Sequence, residues 1–119
     1  MVELRGEWFW GTSIHIVTED GCGLLKLVID HTVPGNSNRE DCELYDLNVH
    51  PSRHRQGYAT RLMQQAIDTA KAEGCRRLYL WVERGSWQQQ WYERLGFSED
   101  EFRLPPHKST LWMVKFLKK

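Results

Sequence analysis

A chain of 119 residues is the size of one compact domain, and residues 1–119 are read as a single unit. With 40% apolar and 27% charged residues it has the composition of an ordinary soluble globular protein. Its 16 basic residues cancel its 16 acidic ones, which argues against a nucleic-acid partner, since such proteins carry an excess of Lys and Arg. No apolar run approaches the ~18 residues of a membrane span. The opening MVELRGEWFW lacks the basic start, apolar middle and small-residue exit of a signal peptide. No membrane association and a cytoplasmic location are therefore expected. Cys22, Cys42 and Cys75 are odd in number, widely spaced and form no Cys-x-x-Cys pair, so reduced thiols and no metal site are expected.

In chain order, residues 2–18 are rich in strand formers (Trp8, Phe9, Trp10, Ile14, Ile16, Val17) and predict one strand. Glu19-Asp20-Gly21 reads as a turn into a second strand over 22–30, making a hairpin. Residues 31–41 form a polar loop with Pro34 and Gly35. Residues 42–49, CELYDLNV, predict a third strand, but Leu44 and Leu47 are three apart and a regular strand points them to opposite faces. Either a bulge near Tyr45-Asp46 turns both toward the core, or the strand is buried on both faces; the pattern alone admits both. Ala59, Leu62, Met63, Ala66, Ile67 and Ala70 form one apolar stripe and predict a helix over 57–73, stopped by Gly74. A strand follows over 76–83, then a short helix over 87–95 stopped by Gly96, then a terminal strand, STLWMVKFL. The six tryptophans, Trp87 and Trp91 included, read as packing residues. Strands 42–49 and 76–83 flank a helix, and a right-handed crossover makes them parallel neighbours. The class is α/β with a mixed sheet.

The stretch Val49 to Thr60 carries the chemistry. A strand ends, a basic loop follows, and a helix opens at Gly57. Helix N-termini present unpaired N–H groups and the positive end of the dipole. Gly57 and Ala59 leave the backbone approachable, and Arg53, His54 and Arg55 can add charge-assisted bonds. The place suits a pyrophosphate. The same residues can also form an ordinary solvated helix start or, with Arg61, a weak contact to a nucleic-acid backbone. His50 and His54 precede the helix with Pro51 between them, so they do not make a metal pair.

His54-Arg55-Gln56-Gly57-Tyr58-Ala59, preceded by Leu47-Asn48-Val49-His50-Pro51, resembles the acetyl-CoA signature of the GNAT superfamily of N-acetyltransferases. Tyr92-Glu93-Arg94-Leu95-Gly96-Phe97 is similar to that family's Tyr-x-x-x-Gly-Phe. The resemblance covers residues 40–97 well and the flanking strands loosely. It implies a mixed central sheet with splayed parallel strands flanked by helices, and it favours the bulge. It implies an acetyl-CoA cosubstrate, no metal, and a coenzyme site made of Leu47, Asn48, Val49, His54, Arg55, Gln56, Gly57, Tyr58, Ala59 and Thr60. It also implies direct attack by a primary amine in a ternary complex, with Tyr92 as proton donor to the coenzyme sulfur. Glu43 would be the general base, with Asp46 or a water chain as alternatives. The acceptor would be a small-molecule or protein amine, and a homodimer could form through the C-terminal strand. Three departures stand out. His54 replaces the usual Arg or Gln; Gly85 and Gln88 stand where Asn and Ala are frequent; and the N-terminal helical region is reduced, lacking two helices that commonly shape the acceptor pocket. The departures motivate a second reading, a non-catalytic acyl-CoA-binding regulatory module acting through a protein partner.

Overall fold

The computed structural model describes residues 1–118. Seven strands form one sheet: β1 (Val2–Trp8), β2 (Gly11–Val17), β3 (Gly23–Asp30), β4 (Asp41–Val49), β5 (Arg77–Glu83), β6 (Ser98–Glu99) and β7 (Thr110–Phe116). Their spatial order is β1-β2-β3-β4-β5-β7-β6. Helix α1 (Tyr58–Ala72) joins β4 to β5, and α2 (Trp87–Arg94) follows β5. β4 and β5 run parallel, as the crossover demands, and the other neighbours are antiparallel. No α-helix precedes α1 among the described residues, in keeping with a reduced N-terminal region.

Residues 2–18 are two strands rather than one. The chain reverses at Phe9-Trp10, and β1 pairs with β2 from Val2↔Val17 to Trp8↔Gly11. Aromatic strand formers run straight through this turn and hide it from a propensity reading. The reversal depends on Gly11, whose φ is 155° and where a Cβ would lie 1.8 Å from the Ile29 carbonyl oxygen. The two-residue strand β6 also escapes the sequence pattern. β7 is not at the sheet edge, because β6 pairs with it at Met113 and Val114.

The core gathers Leu62, Met63, Ala66, Ile67 and Ala70 of α1 against Ile14, Ile16, Leu25, Leu27, Leu44, Leu78, Leu80 and Met113. Burying each large aliphatic side chain is worth roughly 1.5–3 kcal/mol, so the α1 stripe fixes the helix on the sheet. Trp91, Tyr92 and Leu95 of α2 pack against the same cluster. Tyr79, Trp112 and Val114 form a separate cluster on the face turned away from the helices. All three cysteines are free, Cys42 and Cys75 buried and Cys22 half-buried.

β4 decides where the site can be. It pairs with β5 only at Asp41↔Arg77, Cys42↔Leu78 and Glu43↔Tyr79. Beyond Glu43 the two strands diverge, while β5 stays paired with β7 as far as Glu83↔Thr110. On its other side β4 changes register with β3: Lys26 faces Tyr45 but Leu24 faces Asn48, so β4 carries an extra residue. Asp46 sits there at φ 57°, the left-handed conformation. This is a β-bulge; it settles the alternative left open by the sequence, placing Leu44 in the core and Leu47 packed at its margin. Asp tolerates the left-handed region, but a β-branched residue does not. Asp46→Val is therefore expected to cost about 1–2 kcal/mol in denaturant unfolding, and Asp46→Gly almost nothing. Equal stability of the two variants would contradict the dependence on backbone conformation.

Candidate functional site

The divergence of β4 from β5 opens a cleft of about 940 Å³. The end of β4 supplies one wall with Leu47, Asn48 and Val49. The loop and the first turn of α1 supply the floor with His54, Arg55, Gly57, Tyr58, Ala59 and Thr60, and Arg53 adds to it. Trp87, Gln88, Trp91 and Tyr92 of α2 close the far side. Ten of the twelve residues expected at the site thus line one cleft; Gln56 and Glu43 do not.

Gly57 is the N-cap of α1 at φ 79°, ψ 8°, and no side chain caps the helix. Its carbonyl accepts the Arg61 N–H at 3.0 Å, but the N–H groups of Tyr58, Ala59 and Thr60 have no acceptor one turn back. A Cβ at Gly57 would meet no atom within 4 Å. Glycine is required there by its left-handed backbone, and the open space is left to a ligand.

The loop is held by its own polar groups. Pro51–Arg53 form a single 3₁₀ turn, with the His50 Nδ1 accepting the Ser52 N–H at 3.1 Å. The His54 ring donates through Nε2 to the Val49 carbonyl at 2.8 Å, which fixes the proton on that nitrogen. Gln56 turns its side chain back to donate to the Ser52 carbonyl at 3.1 Å, so its role is to hold the loop. His50 and His54 thus have separate partners, and no group of three or more His, Cys, Asp or Glu side chains suited to a metal occurs among the described residues. No helix among them is long and apolar enough to cross a membrane.

Asp20 was read only as part of a turn, yet it organises this end of the cleft. Its carboxylate accepts from the Thr18 hydroxyl at 2.7 Å, the Cys22 N–H at 3.0 Å, Arg53 Nε at 3.3 Å and the Tyr58 hydroxyl. The Tyr58 hydroxyl, then the Cys22 N–H, hold Asp20 well below the usual carboxylate range, and Asp20 in turn raises the Tyr58 phenol. Thirty-eight residues separate Asp20 from Tyr58, so no local pattern announces the contact. Arg61 lies 4.6 Å above the Tyr58 ring. Arg53 is compensated by Asp20, whereas Arg55 and Arg61 form no ion pair among the described residues. The cleft floor therefore keeps a positive surplus beside the free N–H groups.

Tyr92 is half-buried between Trp91 and Phe97, with ring centroids 5.1 and 5.7 Å away. Burial raises its phenol, which stays protonated at neutral pH. No protein acceptor for its hydroxyl is found among the described residues. Trp91 both packs on the core and lines the cleft, and Trp87, 69% exposed, lines it without core packing, so neither is only a packing residue. Gly85 at φ 80° donates its N–H to Gln89 Oε1 at 2.7 Å, closing the turn into α2.

Glu43 lies elsewhere. It stands at the last β4–β5 pair and lines a second cavity of about 260 Å³, on the face away from the helices. Its carboxylate pairs with Arg103 and accepts from the Tyr45 hydroxyl. Asp46 is exposed at the bulge.

The profile of the acetyltransferase (GNAT) family matches residues 7–97. The chain belongs to the GNAT family. An uncharacterized N-acetyltransferase from Methanocaldococcus jannaschii is 38% identical over 80 residues, 65% of this chain and 33% of that protein. This GNAT chain thus spans about a third of the curated relative it matches. Among solved structures, PaiA N-acetyltransferase from Thermoplasma acidophilum, crystallised with coenzyme A, superimposes with a TM-score of 0.66 at 20% identity, covering 87% of this chain and 59% of that one. N-acetylglutamate synthase from Neisseria gonorrhoeae, complexed with coenzyme A and N-acetyl-glutamate, gives 0.68 at 20% identity over 90% of this chain and 26% of that one. At such identities these two share the GNAT fold.

Asp20 gives a pH test of the loop. Its folded-state pKa is depressed, so its stabilisation is full above the ordinary value of 3.8 and is lost progressively as pH falls from there through the depressed folded-state value. The stability gap between wild type and Asp20→Asn, from urea unfolding at about pH 6 and about pH 2, should be clearly smaller at the lower pH. A constant gap would contradict the charge-based role.

Proposed function

We propose that this chain is an acyltransferase that uses acetyl-CoA to acetylate a primary amine by direct attack in a ternary complex. The observation that carries this reading is an uncapped helix N-terminus at the floor of a cleft that runs along the open edge of β4 to Tyr92, beside Arg55, which forms no ion pair among the described residues. The chain's groups fit the coenzyme. The N–H groups of Tyr58, Ala59 and Thr60 and the Arg55 guanidinium would hold the diphosphate. The Val49 N–H on the unpaired β4 edge would bond the amide-bearing pantetheine arm as an added strand, with Leu47 and Asn48 beside it. His54, bonded to the Val49 carbonyl, would keep that edge in place. Bound there, the coenzyme supplies an acetyl thioester whose carbonyl carbon is open to attack.

The acceptor arrives mostly as an ammonium, because an alkylamine has a pKa of about 10.4. A base removes one proton, the amine forms the C–N bond, and the C–S bond breaks. Tyr92, kept protonated by burial, then gives its proton to the departing sulfur. The acylated nitrogen sheds its second proton, which restores the Tyr92 phenol through solvent, so the products are the amide, the free thiol and the protonated base. Glu43 at the apex of the divergence is the base in this reading; Asp46 and a water chain are its alternatives.

Free-thiol release from acetyl-CoA over a panel of primary amines tests the activity. Tyr92→Phe should lower kcat about 100-fold while leaving coenzyme affinity by calorimetry unchanged. Undiminished turnover would remove Tyr92 from the mechanism. Tight coenzyme binding with no amine acetylated would make the chain a binding module instead.

A further inference from the structure

The second cavity holds an arrangement that the coenzyme cleft does not explain. Arg103 comes from the segment between β6 and β7, which has no helix or strand, and enters the cavity on the face away from the helices. Its guanidinium carbon lies 4.3 Å from the centroid of the Tyr79 ring and 3.9 Å from that of Trp112, and the group pairs with the Glu43 carboxylate. The two rings meet edge to face at 85°. Trp112 is fixed by an indole N–H bond to the Leu104 carbonyl at 2.9 Å, and the Tyr45 hydroxyl holds the other Glu43 oxygen. One carboxylate and two aromatic faces around one cation make a cation receptor.

Its position matters. Glu43↔Tyr79 is the last rung before β4 and β5 part, so the receptor stands at the apex of the opening, across the sheet from the cleft. Its occupant is held on an exposed segment: Phe102 is 100% and Leu104 89% exposed. Among the described residues Arg103 is the one cation lining the cavity; of the other carboxylates there, Asp41 is already paired with Arg77 at 2.5 Å, whereas Asp30 and Asp100 form no ion pair among the described residues. Withdrawing it leaves Glu43 without its cation.

We propose that Glu43, Tyr79 and Trp112 form the seat of the acceptor's primary ammonium, and that Arg103 is an internal occupant which the acceptor displaces. The assignment rests on the acyl-transfer reading above and adds to it a substrate class and a gate. An alkylammonium reproduces the guanidinium's attraction to both rings and to the carboxylate. A neutral molecule cannot replace it, and an acceptor with a carboxylate beside its amine meets Asp30 and Asp100. The class is therefore an aliphatic amine, a diamine or a lysine side chain, not the α-amino group of a free amino acid. Displacement also frees Glu43 from Arg103 as the ammonium arrives, so that a proton can pass from that nitrogen to the Glu43 carboxylate.

Calorimetric titration with n-butylamine and with glycine, on wild type, Arg103→Ala and Arg103→Met, tests this. Methionine keeps an apolar stem on the rings without the charge and so preserves packing if alanine loosens the segment. The expected result is a gain in n-butylamine affinity of about tenfold in the Arg103 variants, lost again when Glu43→Gln is added, with glycine not binding. Coenzyme affinity is measured on the same samples and should not change. An n-butylamine affinity that is unmoved or reduced in both variants, or equal affinity for glycine, overturns the gate while intact coenzyme binding leaves the acyl-transfer reading standing. Absence of coenzyme binding in the wild type overturns both.

Discussion

Three rungs of parallel ladder, then none, is the constraint on which this molecule turns. β4 and β5 start as partners and are driven apart by one extra residue in β4, held open by the left-handed Asp46. Each strand stays anchored on its outer side, β4 to β3 and β5 to β7, so the opening cannot collapse by rearranging the sheet. Beyond Glu43 the inner edge of β4 has no strand partner among the described residues, and the Val49 carbonyl is taken by the His54 ring. A polar group buried without a partner costs about 1–3 kcal/mol, so such an edge must face water or a ligand that can bond it. The cleft is the consequence.

Around the opening the chain spends its polar groups unevenly. The His50–Gln56 loop satisfies itself through His50, His54 and Gln56, and Asp20 anchors it through Arg53 and Tyr58. The first turn of α1 remains uncapped, and Arg55 forms no ion pair among the described residues. A rigid loop beside unsatisfied N–H groups is preorganised for an anion, because little ordering remains to be done when it binds. On the opposite face the economy is reversed: Glu43 and Arg103 satisfy each other over aromatic rings. One side of the sheet is prepared for negative charge and the other for positive charge, with the last β4–β5 rung between them.

What could be read in advance follows sequence distance. The α1 stripe, Gly57 and the Tyr92 segment are local patterns, and they stand where the residues indicated. The bulge was legible only as the three-residue spacing of Leu44 and Leu47, which admitted two explanations until the register with β3 was known. The Phe9-Trp10 reversal was hidden because its residues prefer strands. Asp20–Tyr58 spans 38 residues and Glu43–Arg103 spans 60. Contacts of that length depend on how strands are ordered in the sheet, which no window of sequence contains. Ionic partners that the fold brings together were therefore the part of the site out of reach.

The central claim is that the free amides of the α1 first turn and the open edge of β4 together receive one ligand. Backbone amide nitrogen–hydrogen NMR spectra recorded while coenzyme A is added test it most directly. The account predicts that the resonances of Tyr58, Ala59 and Thr60 move together with those of Asn48 and Val49, along a single saturating curve. Resonances that stay fixed at both places, or that move at only one of them, would contradict it.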